Sequence, residues 1–174
     1  MTWNDFIAVA RRVANQEGLP LSVLLGQAAL ETGRDPGKAP GNNFFGIKGG
    51  GTAGSQSLKT QEQGKKGLYS TVANFARFTN PEESIRAYLN TIEKLVPNWR
   101  ELASDPASLV QAIKSAGYAT DVNYVQKVLN TPEFKAYASE PTQTGESYKV
   151  DLTKPKNPYP NIESPLPYNR LAPS

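Results

Sequence analysis

Apolar residues recur at helical spacing near the start of the chain and predict two helices. Thr2 caps the first helix in a box-like arrangement, and Gly18 ends it. Pro20 suits the first position of the second helix, and Gly33 ends that helix two residues after Glu31. The predicted buried stripe of the second helix contains Leu21, Leu24, Leu25 and Ala28.

Glycine and polar residues dominate from residue 39 to about residue 77, and short alternating stretches such as 72–75 interrupt them. This composition, with its short alternating stretches, predicts a small lobe at about 42–78 with one or two short hairpins. Helical patterns then return. Each of four further predicted helices begins at a capping residue, namely Asn80, Asp105, Thr120 and Thr131.

Proline becomes dense after Ser139, where seven of the chain's 14 prolines fall. Proline at that density blocks helices and central strands, so we expect residues 139–174 to form an extended tail beyond a domain at 1–138. Two roles remain open for this tail. It either lies along the domain, with its tyrosines as anchors, or binds a protein partner.

The composition excludes several kinds of catalysis. The chain has no cysteine and no histidine, so it carries neither a thiolate nucleophile nor a Ser-His-Asp triad. A metal site would need oxygen ligands alone, and we expect no metal and no cofactor. Lys and Arg number 19 against 16 acidic residues. The net charge of +3 favours anionic polymers slightly and is too small to indicate nucleic-acid binding.

The N-terminal segment is amphipathic and carries an acid at Asp5, without the basic start and apolar core of a signal peptide. No apolar stretch of the sequence approaches the length that spans a membrane. If the substrate lies outside the cytoplasm, we expect a phage particle or a dedicated export system, as for a secreted effector, to deliver the chain.

Glu31 is the first candidate for catalysis. Leu24, Ala28 and Glu31 share one face of the second predicted helix, so the carboxylate lies among apolar residues. Burial and the helix C-terminus both disfavour its charged form and would raise its pKa, as a general acid requires. A structural interpretation is equally open, in which a helix-end glutamate pairs with Arg34 or with a nearby lysine.

Further candidates lie along the rest of the chain. Glu62 is a carboxylate in the glycine-rich lobe, where an exposed loop glutamate is the commoner outcome. Tyr118 would hydrogen-bond a carboxylate or an acetamido group, or simply fill a corner between two helices. Asp121 is interpreted as a helix N-terminal charge. The loop candidates, which would line a sugar groove or serve as turn and core residues, are Asn42, Asn43, Phe45 and Lys48.

Five segments, in this order, resemble the glucosaminidase-type peptidoglycan hydrolases of glycoside hydrolase family 73. They are GLPLSVLLGQAALETGR (18–34), NNFFGIKG (42–49), KTQEQ (59–63), VANFARFTNPEESIRAYLNTI (72–92) and AGYATDVNYVQKVL (116–129). The resemblance covers roughly residues 2–138 and leaves the tail unmatched. The family includes bacterial autolysins, the hydrolase domain of flagellar rod-assembly proteins, and phage cell-wall enzymes.

The resemblance implies a lysozyme-like α+β fold, mainly α, in which a helical lobe and a small β-lobe enclose a groove for a glycan strand. It implies a bacteriolytic monomer that cleaves the β-1,4 bond between N-acetylglucosamine and N-acetylmuramic acid in the cell wall. Glu31 matches the family's general acid, and Glu62 matches a proposed second carboxylate. Tyr118 matches a tyrosine near the acid and the substrate's N-acetyl group. Asn43 and Phe45 match the loop that lines the groove.

Two positions depart from the family pattern. Arg34 stands where tryptophan is frequent, and Val122 stands where proline is common. A cation at position 34 would favour ionised Glu31, so we expect Arg34 to point into solvent or towards an acid such as Asp35. A muramidase and a lytic transglycosylase are alternatives with the same fold. A cell-wall-binding or assembly module without turnover is the alternative that is not an enzyme.

Overall fold

A computed structural model describes residues 1–64 and 67–142, with the backbone alone for residues 61–64 and 68. The predicted tail therefore lies almost entirely outside the described residues. The elements are α1 (Trp3–Glu17), α2 (Leu21–Thr32), β1 (Ser55–Gly64), β2 (Gly67–Ala76), α3 (Pro81–Leu95), α4 (Trp99–Leu102), α5 (Pro106–Ile113), α6 (Tyr124–Leu129) and α7 (Pro132–Tyr137). This architecture confirms the prediction of a mainly helical α+β fold.

Side-chain caps begin the helices at most of the predicted positions. Thr2 accepts a hydrogen bond from the Asp5 backbone, while the Asp5 carboxylate accepts one from the Thr2 backbone. The side chains of Asn80, Asp105 and Thr131 accept a backbone hydrogen bond at the starts of α3, α5 and α7, and each is followed by proline. The predicted helix starts at these four residues are confirmed. They were predictable because each cap bonds to residues close by in the sequence.

Helix α2 is the centre of the helical body. It contacts α1, α5, α6 and α7. The sequence predicted an apolar stripe on one face, but α2 is buried on nearly every side because neighbouring helices surround it. Within α2, Leu30 and Glu31 are the partly exposed residues.

The glycine-rich region forms one antiparallel hairpin, longer than the short hairpins that the sequence predicted. Strands β1 and β2 pair from Ser55 opposite Ala76 to Gly64 opposite Gly67. Phe75 is buried, whereas the neighbouring Val72 is 62% exposed, as alternation along a half-buried strand requires. A bridge between Lys48 and Phe75 ties the hairpin to the loop that follows α2.

The segment after α5 differs from the prediction. A helix was expected to begin at Thr120, but α6 begins at Tyr124. Asp121 occupies the turn before it, where its carboxylate accepts a hydrogen bond from the Asn123 backbone at 2.9 Å. The Lys127 ammonium, the largest influence, and this hydrogen bond lower the pKa of Asp121. Asp121 therefore acts as the helix N-terminal charge that the sequence indicated.

The chain just beyond the predicted domain boundary still contacts the helical body. Glu140 pairs with Arg11 at 2.8 Å, and the Thr142 hydroxyl donates to the Ala103 carbonyl at 3.2 Å. Between Met1 and Thr142, the described helices are all too short or too polar to cross a membrane.

Candidate active site

Glu31 lies at the C-terminal end of the central helix. One of its carboxylate oxygens, Oε2, is buried from solvent, although the residue as a whole is partly exposed. The helix ends two residues later at Gly33, which adopts the left-handed conformation with φ of 61°. Glu31 thus combines a partly desolvated carboxyl group with a position at the edge of the helical body.

The helix-end turn is fixed by an ion pair. Arg34 also has a positive φ, 65°, which is uncommon for a residue with a side chain. Its guanidinium donates to Glu133 from Nε at 2.6 Å and from Nη2 at 2.8 Å. We expected Arg34 to face solvent or an acid such as Asp35, and an acid is indeed its partner. That acid is Glu133 on α7, which the sequence did not single out.

A buried chain of hydrogen bonds lies one helical turn before Glu31. Gln27 is fully buried, and its Nε2 donates to the Tyr124 hydroxyl at 2.8 Å. The Tyr88 hydroxyl donates to Gln27 Oε1 on the other side of the amide. These hydrogen bonds join α3, α2 and α6.

Tyr88 and Tyr124, the two tyrosines that bond to Gln27, each have a raised pKa, which favours the neutral hydroxyl. Burial raises the pKa of Tyr88 above its usual range. Burial also raises the pKa of Tyr124, the negative charge of Glu31 adds to the effect, and the hydrogen bond from Gln27 opposes it.

Tyr118 is buried within a cluster of aromatic rings. Its ring centre lies 6.1 Å from that of Tyr88, edge to face, and 6.0 Å from that of Tyr124. Its hydroxyl donates to the Phe45 carbonyl at 3.4 Å. Tyr118 therefore lies beside Tyr124. Its predicted role towards a substrate stays a prediction.

The side-chain amides of Asn42 and Asn43 hydrogen-bond to backbone groups of the loop and of the strand end beside it. Asn43 is buried; its Nδ2 donates to the carbonyls of Ile47 and Ala76, and its Oδ1 accepts from the Ile47 backbone. Asn42 donates to the Phe78 carbonyl at 3.0 Å. These contacts are the local turn chemistry that the sequence left open as an alternative, and a contact with sugar stays a prediction.

The other two loop candidates are also largely buried. The ring of Phe45 stacks on that of Tyr88, with centres 4.2 Å apart. Lys48 is 6% exposed, and its backbone bridges to the hairpin at Phe75. Phe45 thereby connects the loop to Tyr88, which hydrogen-bonds to Gln27.

Glu62 lies in the outer half of β1, where its backbone pairs with that of Tyr69. Its side chain is outside the described part of the structure. Tyr69 is 50% exposed and shares a strand face with Thr71 and Phe75. The predicted catalytic role of Glu62 thus stays a prediction, with its backbone located in the hairpin.

Sequence reasoning missed Gln27, Tyr88 and Tyr124. A glutamine on a buried helix face, four residues before a candidate acid, was a signal that could have indicated a polar network. The partners of the glutamine lie 61 and 97 residues away along the chain, so no spacing rule identifies them. Among the described residues, no group of three or more acids stands close enough to hold a metal ion.

A helical body, a hairpin lobe and a partly buried glutamate at the end of the central helix define the lysozyme-like class of glycoside hydrolase folds. Residues 7–133 match the family model of the glucosaminidases, described as mannosyl-glycoprotein endo-β-N-acetylglucosaminidase. The chain therefore belongs to the glucosaminidase family.

Similarities to individual proteins support this family assignment. The peptidoglycan hydrolase FlgJ of Pseudomonas aeruginosa is 31% identical over 140 residues, which cover 72% of this chain and 35% of that protein. This chain thus spans little more than a third of that relative. The catalytic domain of the Listeria monocytogenes autolysin Auto superimposes with a TM-score of 0.64 and 30% identity, covering 78% of this chain and 82% of that one. A truncated glycoside hydrolase domain of Salmonella typhimurium FlgJ gives a TM-score of 0.53 and 26% identity, with 77% and 96% covered.

Proposed function

We propose that the chain is a peptidoglycan hydrolase that cleaves the β-1,4 bond after N-acetylglucosamine, with Glu31 as the general acid. One observation carries the proposal: within the region that matches the glucosaminidase family, Glu31 is a carboxylate with one buried oxygen at the edge of a buried helix. Partial desolvation favours the protonated form that a general acid needs. The names of the relatives, peptidoglycan hydrolase and autolysin, support the choice of polymer.

In the proposed reaction, Glu31 donates its proton to the glycosidic oxygen, and the bond between that oxygen and the anomeric carbon breaks. Glu62, carried by the hairpin, removes a proton from the water that attacks the oxocarbenium-like carbon. A reducing N-acetylglucosamine end and a free hydroxyl on the next sugar result. A separation of roughly 6.5–9.5 Å between the two carboxyl groups would suit this inverting route.

A second route uses the acetamido oxygen of the substrate in place of Glu62. The position of Tyr118 beside Tyr124, whose hydroxyl bonds to Gln27 one helical turn before Glu31, supports a role for Tyr118 in orienting that acetamido group. In both routes the glycan strand lies in a groove between the helical body and the hairpin.

Digestion of purified peptidoglycan tests the proposal. The unmodified chain should release muropeptides that end in reducing N-acetylglucosamine, and Glu31→Gln should release none while keeping its circular dichroism spectrum. Glu101→Gln, an exposed glutamate of α4, is the matched control and should retain full activity. Normal turnover by Glu31→Gln would refute the assignment.

Mass spectrometry of the same digest separates the alternatives. Reducing N-acetylmuramic acid would indicate a muramidase, and an anhydro end would indicate a lytic transglycosylase. Binding to insoluble cell wall without any soluble product would indicate a binding or assembly module.

The cell wall is the proposed place of action, in the periplasm or outside the cell. Delivery by a phage particle or by a dedicated export system belongs to the same proposal, as does a protein partner for the segment beyond Thr142. Removal of residues 143–174 should leave activity on purified peptidoglycan intact and abolish association with a delivery partner.

A further inference from the structure

We propose that Tyr69 is a sugar-binding residue whose ring stacks against a pyranose of the glycan strand. Tyr69 lies on β2, directly opposite Glu62 of β1, and the residue is 50% exposed. This inference rests on the proposed function, because it takes the glycan strand of peptidoglycan as the substrate. It adds a binding contact on the side of the groove that the hairpin forms.

The two faces of the hairpin differ in exposure. Residues that pair across an antiparallel sheet share a face, and neighbours along a strand alternate between faces. The inner face consists of three described pairs, with Tyr69 beyond them; the pairs are Gln56 with Phe75, Leu58 with Ala73, and Thr60 with Thr71. These paired residues are all buried or partly buried. The outer face contains residues that are all exposed, namely Ser57, Lys59, Val72 and Asn74.

The base of the inner face is turned towards the loop that follows α2. Gln56 donates from Nε2 to the Pro40 carbonyl at 2.6 Å. Gln56, Leu58 and Phe75 line one recess together with Pro40 and Asn43 of that loop. The inner face is therefore the side of the hairpin that looks towards the proposed groove, and the outer face looks away from it.

Tyr69 lies at the outer end of the inner face, well beyond the loop. It precedes Phe75 by six residues on β2, which corresponds to about 20 Å along the strand. Phe75 is 3% exposed, whereas half of Tyr69 is open to solvent. The inner face thus changes from a packed base to an accessible aromatic residue, and a strand of several sugars could extend over that distance.

The chemistry of tyrosine suits a sugar ring at this position. The face of a pyranose consists of C–H groups, which pack well on a flat aromatic surface, while its hydroxyl and acetamido groups lie around the rim. Tyrosine offers a rigid apolar ring at low entropic cost and a hydroxyl for the rim. The Cα atoms of Tyr69 and Glu62 are paired, hence about 4.5–5.5 Å apart. A sugar bound beside the proposed base would therefore also reach the tyrosine ring.

Tyr69→Ala is the direct test, made in the Glu31→Gln variant so that the probe is not cleaved. The probe is the peptide-free peptidoglycan tetrasaccharide, and its Kd is measured by isothermal titration calorimetry. Loss of the ring should weaken binding about three- to tenfold, whereas Tyr69→Phe, which keeps the ring, should bind within about twofold of the parent.

Val72→Ala is the matched control. Val72 is an exposed apolar residue of the same strand, 62% exposed, but it belongs to the outer face. Its removal should leave the Kd unchanged. Both positions are exposed, so both variants should keep the circular dichroism spectrum of the parent. An unchanged Kd in Tyr69→Ala, or an equal weakening in Val72→Ala, would overturn the proposal.

Kinetics with Glu31 intact provide a second measurement. On soluble peptide-free glycan strands, Tyr69→Ala should raise KM by the same three- to tenfold factor and leave kcat nearly unchanged, as loss of a binding contact requires. A defect seen only on strands that carry stem peptides would assign Tyr69 to the peptide and refute stacking on a sugar. Binding of the tetrasaccharide without any release of muropeptides would refute the proposed function, while the Kd series would still decide the role of Tyr69.

Discussion

Arg34 and Glu133 are joined by two hydrogen bonds, of 2.6 and 2.8 Å. These bonds hold the turn after α2, the helix that carries Glu31, against α7. The two residues are separated by 99 residues along the chain. The Glu133 side chain is 8% exposed, whereas that of Arg34 is 40% exposed. The pair therefore neutralises a nearly buried carboxylate and fixes the turn that follows Glu31.

Arg34→Ala should destabilise the fold, because it leaves the Glu133 carboxylate buried without its cation. We expect the free energy of unfolding to fall by about 1.5–3 kcal/mol in urea denaturation. Arg11→Ala is the control, since Arg11 pairs with Glu140 where both side chains are about two-fifths exposed (42% and 41%). Its loss should stay below about 1 kcal/mol. Equal losses in the two variants would contradict a special role for the Arg34 pair.

Gly26 lies where α2 packs against α6 and α7. A Cβ atom at this position would lie 3.1 Å from Val128 Cγ1, 3.2 Å from Thr131 Oγ1 and 3.3 Å from Phe134 Cβ. Gly26→Ala should therefore destabilise the fold by about 1–2 kcal/mol, even though alanine favours a helix. Asn15→Ala, on the exposed face of α1, should change stability by less than about 0.5 kcal/mol. A Gly26→Ala variant as stable as the parent would show that α6 and α7 move away from α2 at little cost.

Acid should weaken the contact between α1 and α3. Hydrogen bonds from Arg12 and then Arg86 lower the pKa of Glu82 below its ordinary value of 4.5. The folded state thus holds the charged form more strongly than the unfolded chain does. This contribution is present above about pH 4.5 and is lost as the pH falls through the lowered folded-state pKa. Asp5, Asp105 and Asp121 shift in the same direction and add to the loss.

Glu82→Gln isolates this pH dependence. The free energy of unfolding of the variant, measured between pH 7 and pH 3, should decline less steeply than that of the parent, by about 0.5–1 kcal/mol over the range. Identical pH profiles would mean that the Arg12 and Arg86 contacts do not survive in solution.

Local chemistry explains which parts of the fold were predictable. The caps at Thr2, Asn80 and Asp105 bond to backbone groups three residues ahead, so the sequence carries the whole signal. Helix α4 was missed because it spans four residues and has no side-chain cap. The start of α6 was placed too early because Thr120 has the right residue type for a cap, while the turn is actually made by Asp121.

The surroundings of the candidate acid were less predictable because tertiary contacts create them. The position of Glu31 at a helix end followed from the spacing of apolar residues and from Gly33. The same spacing says nothing about Tyr88, Tyr124 or Glu133, which come from three other helices. A buried side chain finds its partners only when the helices pack, and that information is distributed along the chain.

Glu62→Gln distinguishes the two proposed routes for the attacking water. A positioned general base typically raises kcat by about 10²–10⁴-fold. If Glu62 is that base, the variant should lose turnover by this factor while binding peptidoglycan normally. Lys59→Gln, an exposed residue of the same strand, is the control and should remain active. Sodium azide should restore turnover to Glu62→Gln, because a small anion attacks without a base. A loss of less than tenfold, with no effect of azide, would instead establish assistance by the substrate's acetamido group.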